Sequence, residues 1–589
     1  MPRIATIAAS LIICLAGHAV AGEMQPPRLT RATVDWDGAA ATLADIPSLQ
    51  SVEASAATPA PGSAIRRLTA ASAERLPAIA HSGVPMLLPF DAAALLRDRA
   101  ADTPPDHPEQ SYFLGFGTPV LLDAGPAGYD AEFRFPLAGI PELANIRFSA
   151  AAQIHISGSR VTYELDPPVT DKSVAVPALD ADFPGITRSY LENNVRYTFT
   201  RFGVPYVVST DCFDGRTARF RHMACRDAHR VIAYFLKSLR LVGGAPAASA
   251  AAQDVASHDA APHPIERPTA ASPAFTYYAP GRLAPGTDRH GVGGRADDTV
   301  YAALRFPLAD APAFANTQLF KRRVGRVAGY PWRDNFCERR AFYVDQCPGG
   351  LGHQGQDLRA ADCSPTSTGD DRCTSTHNDV VAARDGIIMR APGQEAVYLI
   401  VDTATEHLRL RYLHMRPKLL DANGVLSGRR VKAGEVIGQI GNYSGHENGT
   451  SYHLHFDIQV PTRAGWVFVN PYMTLVAAYE RLIGARGEEV RDDVVASAAP
   501  TTINDAIVNA ITLASVRRAI LSPTESAVDD IAPAAPLASP CTRSWRHRHC
   551  EGGHAAASHD DRGSTHSVRY SHHGARAMAS HRSRSRHRL

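Results

Sequence analysis

The feature that most limits how this chain can fold is the short run His453-Leu454-His455-Phe456. Polar and apolar residues alternate in it with the period of a β-strand. His453 and His455 therefore project from one face, while Leu454 and Phe456 enter a core. Two imidazoles side by side on a strand need chemistry to complete them, and two upstream motifs offer it. One is His353-Gln354-Gly355-Gln356-Asp357, an H-x-G-x-D; the other is Tyr412-Leu413-His414-Met415. Imidazole nitrogen and carboxylate oxygen are what Zn2+ accepts, and a catalytic zinc site uses three protein ligands plus water. A ligand pair from one loop, completed from a distant strand, fits that need. Gly355 suggests a tight loop that folds His353 and Asp357 onto one ion. One histidine of the 453/455 pair can then hold the metal while its neighbour stands beside the water.

The surroundings of these motifs, from about 315 to 480, are rich in short strands, glycines and histidines. Glu395 to Val401 and Val467 to Val469 are β-branched or aromatic runs and read as strands. Upstream, Ile154-His155-Ile156 and Val195 to Phe199 alternate as strands do, and Asp227 to Leu241 reads as an amphipathic helix closed by Gly243-Gly244. The expected architecture is multidomain, with a mainly antiparallel β catalytic domain preceded by an α+β domain and followed by a disordered tail. Its segments are 1–21, 22–110 (a pro-segment or loosely ordered lead-in), 111–243 (the α+β domain), 244–314 (an Ala/Pro/Ser-rich linker), 315–480 and 481–589. The last is a low-complexity basic tail whose Arg, His and Ser residues cannot bury a core.

Length and composition narrow the class. The 589 residues suffice for roughly two to four domains. A net charge of +2 argues for neither a nucleic-acid partner nor a charged membrane surface. Arg3, the apolar run Ile4 to Ala16 and the Ala19-Val20-Ala21 site describe a secretory signal peptide cleaved after Ala21. No later stretch is apolar and long enough for a transmembrane helix. Eight further cysteines fall into four local pairs, Cys212/Cys225, Cys337/Cys347, Cys363/Cys373 and Cys541/Cys550. Short-range pairs without a C-x-x-C knuckle read as disulfides of an oxidising compartment.

The segment from about His353 to Phe456 resembles the lysostaphin/LytM-type zinc endopeptidases, which cleave peptide bridges of bacterial peptidoglycan on a duplicated hybrid motif fold. The three motifs occur in the family's order. Val380 to Ile388 resembles its strand–turn–strand, and Val431 to Gly441 resembles its V-x-x-G-x-x-I-G-x-x-G stretch. The resemblance covers roughly 150 residues, one domain of ordinary size. It implies that His353, Asp357 and His455 are zinc ligands and that His414 and His453 are the catalytic histidines. Both would titrate near the ordinary imidazole value at working pH and orient or deprotonate the zinc-bound water. Three departures stand out: an insertion from Leu358 to Thr376, Tyr452 before the H-L-H as either a packing residue or a phenol near the transition state, and Asp457 in place of a glutamate, a change expected to be neutral.

The function implied is an exported, periplasmic or secreted zinc metalloendopeptidase acting on peptidoglycan stems or cross-links, with direct cross-links the natural target in a periplasm. The basic tail reads either as a solvated extension without a role of its own or as a cationic arm for anionic wall polymers. Two alternatives remain open on the same residues. One is a non-catalytic wall-binding or amidase-activating protein on this fold; the other is a secreted zinc peptidase of proteins.

Overall fold

The structure is a computed structural model that describes residues 24–44, 62–100, 112–148, 150–169, 173–191, 194–214, 223–246, 265–269, 275–281, 294–310, 335–358 and 379–490. The described residues belong to one compact unit. The expected signal peptide, the Cys363/Cys373 insertion and Cys541/Cys550 lie outside the described residues.

Two seven-stranded antiparallel sheets dominate, and their strands are numbered β1–β14 here in chain order. The first sheet contains β1 (Leu121–Ala124), β2 (Gly128–Phe135), β3 (Ala152–Ser159), β4 (Val174–Ala175), β5 (Thr187–Leu191), β6 (Asn194–Arg201) and β7 (Val204–Asp211), in the order β1-β2-β3-β7-β6-β5-β4. The second contains β8 (Gln356–Leu358), β9 (Gly386–Met389), β10 (Val397–Asp402), β11 (His407–Leu413), β12 (Arg430–Val431), β13 (Leu454–Thr462) and β14 (Gly465–Val469). Its order is β8-β13-β11-β10-β9-β12, with β14 following β8 along the same edge of β13.

Alternation along the strands builds two cores. Ile154 and Ile156 of β3, with Val195, Tyr197 and Phe199 of β6, turn to a core that also holds Val231, Ile232, Phe235 and Leu236 of the helix Cys225–Ser238. In the second sheet Leu399, Leu410, Leu454, Phe456 and Ile458 face a different core, closed by the helix Tyr472–Ile483. The residues in between on each strand face the opposite way. There the sheets meet through polar contacts: Asp130 on β2 bonds His407 (2.6 Å) and Arg409 of β11, and the Trp466 indole N–H donates to Ser157 (2.9 Å).

Several segments differ from expectation. The helix ends at Ser238, because Arg240–Gly243 leaves it as a strand paired with Met86–Leu88. Gly243 and Gly244 do not cap it. They sit at positive φ where any Cβ would meet Thr69, or Val84 and Trp36, within 3 Å. Within the supposed loose lead-in, Ser63–Ala73 is a helix that buries Ile65, Leu68 and Ala71. Within the supposed linker, Val300, Tyr301, Leu304, Phe306 and Leu308 belong to the second core, and Phe275–Tyr278 pairs in parallel with Gly487–Val490. Alanine-rich composition hid real burial in these places. Among the described residues, no helix is long and apolar enough to cross a membrane.

Among the described residues two disulfides are formed, Cys212–Cys225 and Cys337–Cys347. The second staples the entry to the H-x-G-x-D motif, and with Phe336 and Val344 it packs on Phe468 of β14.

Candidate metal centre

Register brings the three motifs together. β8 pairs with β13 so that Asp357 lies opposite His455, and β11 pairs with β13 on its other side so that Leu413, next to His414, also lies opposite His455. The glycine of the H-x-G-x-D motif works differently from the expectation of a tight loop. Gly355 has no positive φ; a Cβ there would stand 2.3 Å from the Phe456 carbonyl oxygen and 2.8 Å from Asp457 Cβ. Its bareness lets the ligand segment lie flat against β13.

His353 Nε2, Asp357 Oδ1 and His455 Nδ1 converge. The distances are 2.9 Å between His353 Nε2 and His455 Nδ1, 3.3 Å from His353 Nε2 to Asp357 Oδ1, and 3.1 Å from His455 Nδ1 to Asp357 Oδ1. All three residues are buried, and this is the cluster among the described residues that can hold a metal ion. Ligand atoms about 2.0–2.1 Å from a tetrahedral ion lie roughly 3.3 Å apart, so the donor set matches the need.

The outer nitrogens fix which ring atoms face inward. His353 Nδ1 lies 3.2 Å from the Asn335 carbonyl, which only accepts, so Nδ1 carries the proton and Nε2 presents its lone pair. Burial lowers the His353 pKa and keeps that ring neutral. His455 Nε2 lies 3.1 Å from Asp457 Oδ2, leaving Nδ1 for the cluster. Burial works against charge on His455, but its hydrogen bonds to Asp357 and Asp457 outweigh it and raise its pKa. For Asp357 burial is likewise outweighed, and His453 and His353 hold the carboxyl well below its usual range.

His414 and His453 stand together beside this cluster, with ring centroids 4.5 Å apart; His414 lies 6.1 Å from His455 by the same measure. His453 Nε2 is 3.4 Å from Asp357 Oδ2, and its Nδ1 is 2.7 Å from the Ser451 carbonyl. His414 Nδ1 donates to the Tyr443 carbonyl at 2.7 Å. The expectation of an ordinary imidazole pKa does not hold for His414. Burial, then His453 and His455, push it well below that value, so the ring is neutral at pH 7.

Sequence reasoning missed Asp457. It is fully buried, accepts from His455, and is held in turn by Arg411 Nε at 2.5 Å; Arg411 also donates to Gln354 Oε1. A carboxylate on the outer nitrogen of a ligating histidine fixes its tautomer and raises its basicity. The available signal was strand alternation, which places His453, His455 and Asp457 on one face. Asp457→Asn is expected to weaken metal binding by about 10- to 100-fold, the usual cost of losing such a partner. Titration against a chromophoric chelator checks this; unchanged affinity would remove Asp457 from that role. Tyr452 is a packing residue, and its hydroxyl accepts from Arg416 at 3.3 Å.

Similarity to known proteins covers part of this centre. Residues 366–471 match peptidase family M23. The match begins downstream of His353 and Asp357, which join it through the β8–β13 pairing. No curated protein matches. A solved structure from Ruminococcus gnavus ATCC 29149, described as a glycyl-glycine endopeptidase lytM, is similar at 20% identity and a TM-score of 0.19. The alignment covers 32% of this chain and 62% of that one, a likeness too distant to bear weight. Residues 366–471 thus form a segment similar to peptidase family M23.

Proposed function

We propose that this chain is an exported zinc metalloendopeptidase that hydrolyses peptide cross-links of peptidoglycan. One observation carries the reading: the inward-facing atoms of His353, Asp357 and His455 converge, with a second histidine pair standing beside them. An inactive relative would have no need to keep both sets. Zinc held by these three residues would polarise a scissile carbonyl and make water acidic near neutral pH.

The chain's own residues then divide the work. His414 is neutral and anchored through Nδ1–H, so its Nε2 is a proton acceptor for the attacking water. His453, anchored through Nδ1–H to the Ser451 carbonyl, stands beside His414 to orient that water. Asp457 and Arg411 hold His455 in its tautomer. Export is supported by the two local disulfides and by the N-terminal sequence.

Digestion of purified peptidoglycan by the full-length protein, followed by mass spectrometry of the muropeptides, tests the reading. Cleaved cross-links are expected, abolished by a zinc chelator and restored by zinc. Intact cross-links with and without chelator would leave a non-catalytic wall protein as the answer, and cleavage of casein alone would leave a peptidase of proteins.

A further inference from the structure

The His414 ring is held by a loop rather than by its own strand. Tyr443 grips this residue twice, with its N–H on the His414 carbonyl and its carbonyl on Nδ1. Tyr443 belongs to residues 442–450, a loop whose base is closed by a bridge between Gly441 and His453. Inside it, the Asn442 side chain donates to Asn448 Oδ1 at 2.8 Å, and the Thr450 N–H donates to the Asn442 carbonyl at 3.2 Å. The His446 carbonyl accepts from the N–H groups of both Ser444 and Gly449. Bonds of this kind give a loop its shape. They do not fix it to the sheet.

A carboxylate from another part of the chain reaches the loop. The Gly445 N–H donates to Glu395 Oε2 at 2.9 Å, and Glu395 is half-buried. Strand register puts Glu395 at the right level. It precedes Val397 of β10 by two residues; Val397 pairs with Tyr412 of β11, which precedes His414 by two. Glu395 and His414 therefore flank the same end of the β10–β11 pair.

The turn carrying Glu395 is itself firmly held. Arg390, fully buried, donates to the Gln394 carbonyl at 2.7 Å, to Asp421 at 2.7 Å and to the carbonyls of Val425 and Pro417 at 3.0 and 3.1 Å. Gln394 accepts from the Ala391 N–H at 3.1 Å, and its amide donates to Gln153 of β3 at 3.0 Å, so the first sheet braces this turn too. A hydrogen bond from a backbone N–H to a carboxylate is among the stronger kinds, and here its acceptor sits on a rigid bracket.

We propose that Glu395 is a positioning residue: by holding Gly445 it fixes Tyr443, and through Tyr443 the His414 imidazole. Tyr443 and Gly445 are also joined directly, since the Tyr443 hydroxyl donates to the Gly445 carbonyl at 3.2 Å. The work assigned to His414 rests on the peptidase reading; the linkage from Glu395 to its ring does not.

Full-length wild type, Glu395→Ala and Glu395→Gln, each supplied with zinc, test this by two readouts that need no turnover. These are amide hydrogen exchange over residues 441–450 and the nitrogen resonance of the His414 ring in histidine-labelled protein, assigned with His414→Ala. In Glu395→Ala, exchange over the loop is expected to quicken about tenfold or more, and the ring signal to move. Glu395→Gln keeps an oxygen acceptor at the same reach and is expected to restore most of both. On peptidoglycan, Glu395→Ala is expected to lower kcat by about 10- to 100-fold with KM and zinc content unchanged, and Glu395→Gln to recover most of that loss. Unchanged exchange and ring signal in Glu395→Ala overturn the proposal. So does a raised KM with kcat intact, which would place Glu395 on the substrate, or a Gln variant as impaired as the Ala one. A wild type that cleaves no peptidoglycan removes the peptidase reading, while exchange and ring signal still decide the linkage.

Discussion

His455→Ala is expected to lose bound zinc and peptidase activity together. His455 meets both Asp357 and His353 through Nδ1, so truncation removes one of three converging donors and opens a gap between the other two. The loss should exceed the roughly 10- to 100-fold that an outer partner such as Asp457 commands. Metal analysis after dialysis against zinc-buffered solution reads it directly. Stoichiometric zinc in purified His455→Ala would show that the ion is held elsewhere. A pH dependence accompanies the site. In the metal-free protein the two carboxylates beside His455 raise its pKa against the effect of burial, so a proton persists there to higher pH than on an ordinary imidazole. Zinc must displace that proton. Affinity therefore rises with pH until the raised pKa is passed and then levels off, with one proton released per ion bound below it.

How much of this centre was legible in the sequence depends on how far each residue's partner lies from it. His353, Asp357 and His455 could be read because strand alternation and an i, i+4 spacing are local, and the metal chemistry of their side chains is narrow. The reason for Gly355 could not: its need is close approach to the Phe456 carbonyl, a contact across strands rather than a turn. Asp457 was undervalued for the same reason. Its role comes from Arg411, which reaches it through strand pairing. The pKa of His414 was misjudged because burial and two neighbouring imidazoles belong to the fold, not to the motif. Element boundaries failed where composition misled. Ser63–Ala73 looks like filler, yet its helical spacing buries Ile65 and Leu68. Residues 300–308 carry Tyr301 and Phe306 into the second core although they follow a linker-like stretch.

His414→Ala is expected to keep zinc and to lose turnover, by about 10²- to 10⁴-fold in kcat, the range for removing a positioned general base. The structure invests in this residue. Its backbone sits at φ 75°, a left-handed conformation that costs a non-glycine residue about 1–3 kcal/mol. The segment Gly441–Tyr443 supports it: the Tyr443 N–H donates to the His414 carbonyl at 3.2 Å, and the Tyr443 carbonyl holds the ring through Nδ1 at 2.7 Å. Gly441 must stay a glycine here, because a Cβ would stand 2.2 Å from the His414 carbonyl oxygen. Strain retained at a half-buried, neutral imidazole beside a ligand cluster is what positioning a proton acceptor requires. Since burial and the neighbouring histidines lower the His414 pKa, and a bound cation would push the same way, protonation of His414 cannot silence the enzyme until the pH falls well below the ordinary imidazole range. The acid limb of kcat/KM should lie there in the wild type. Zinc content and muropeptide release measured side by side in His414→Ala decide the matter: a zinc-replete variant that cleaves at the wild-type rate would take the base role away from His414, and a zinc-free one would make it a ligand.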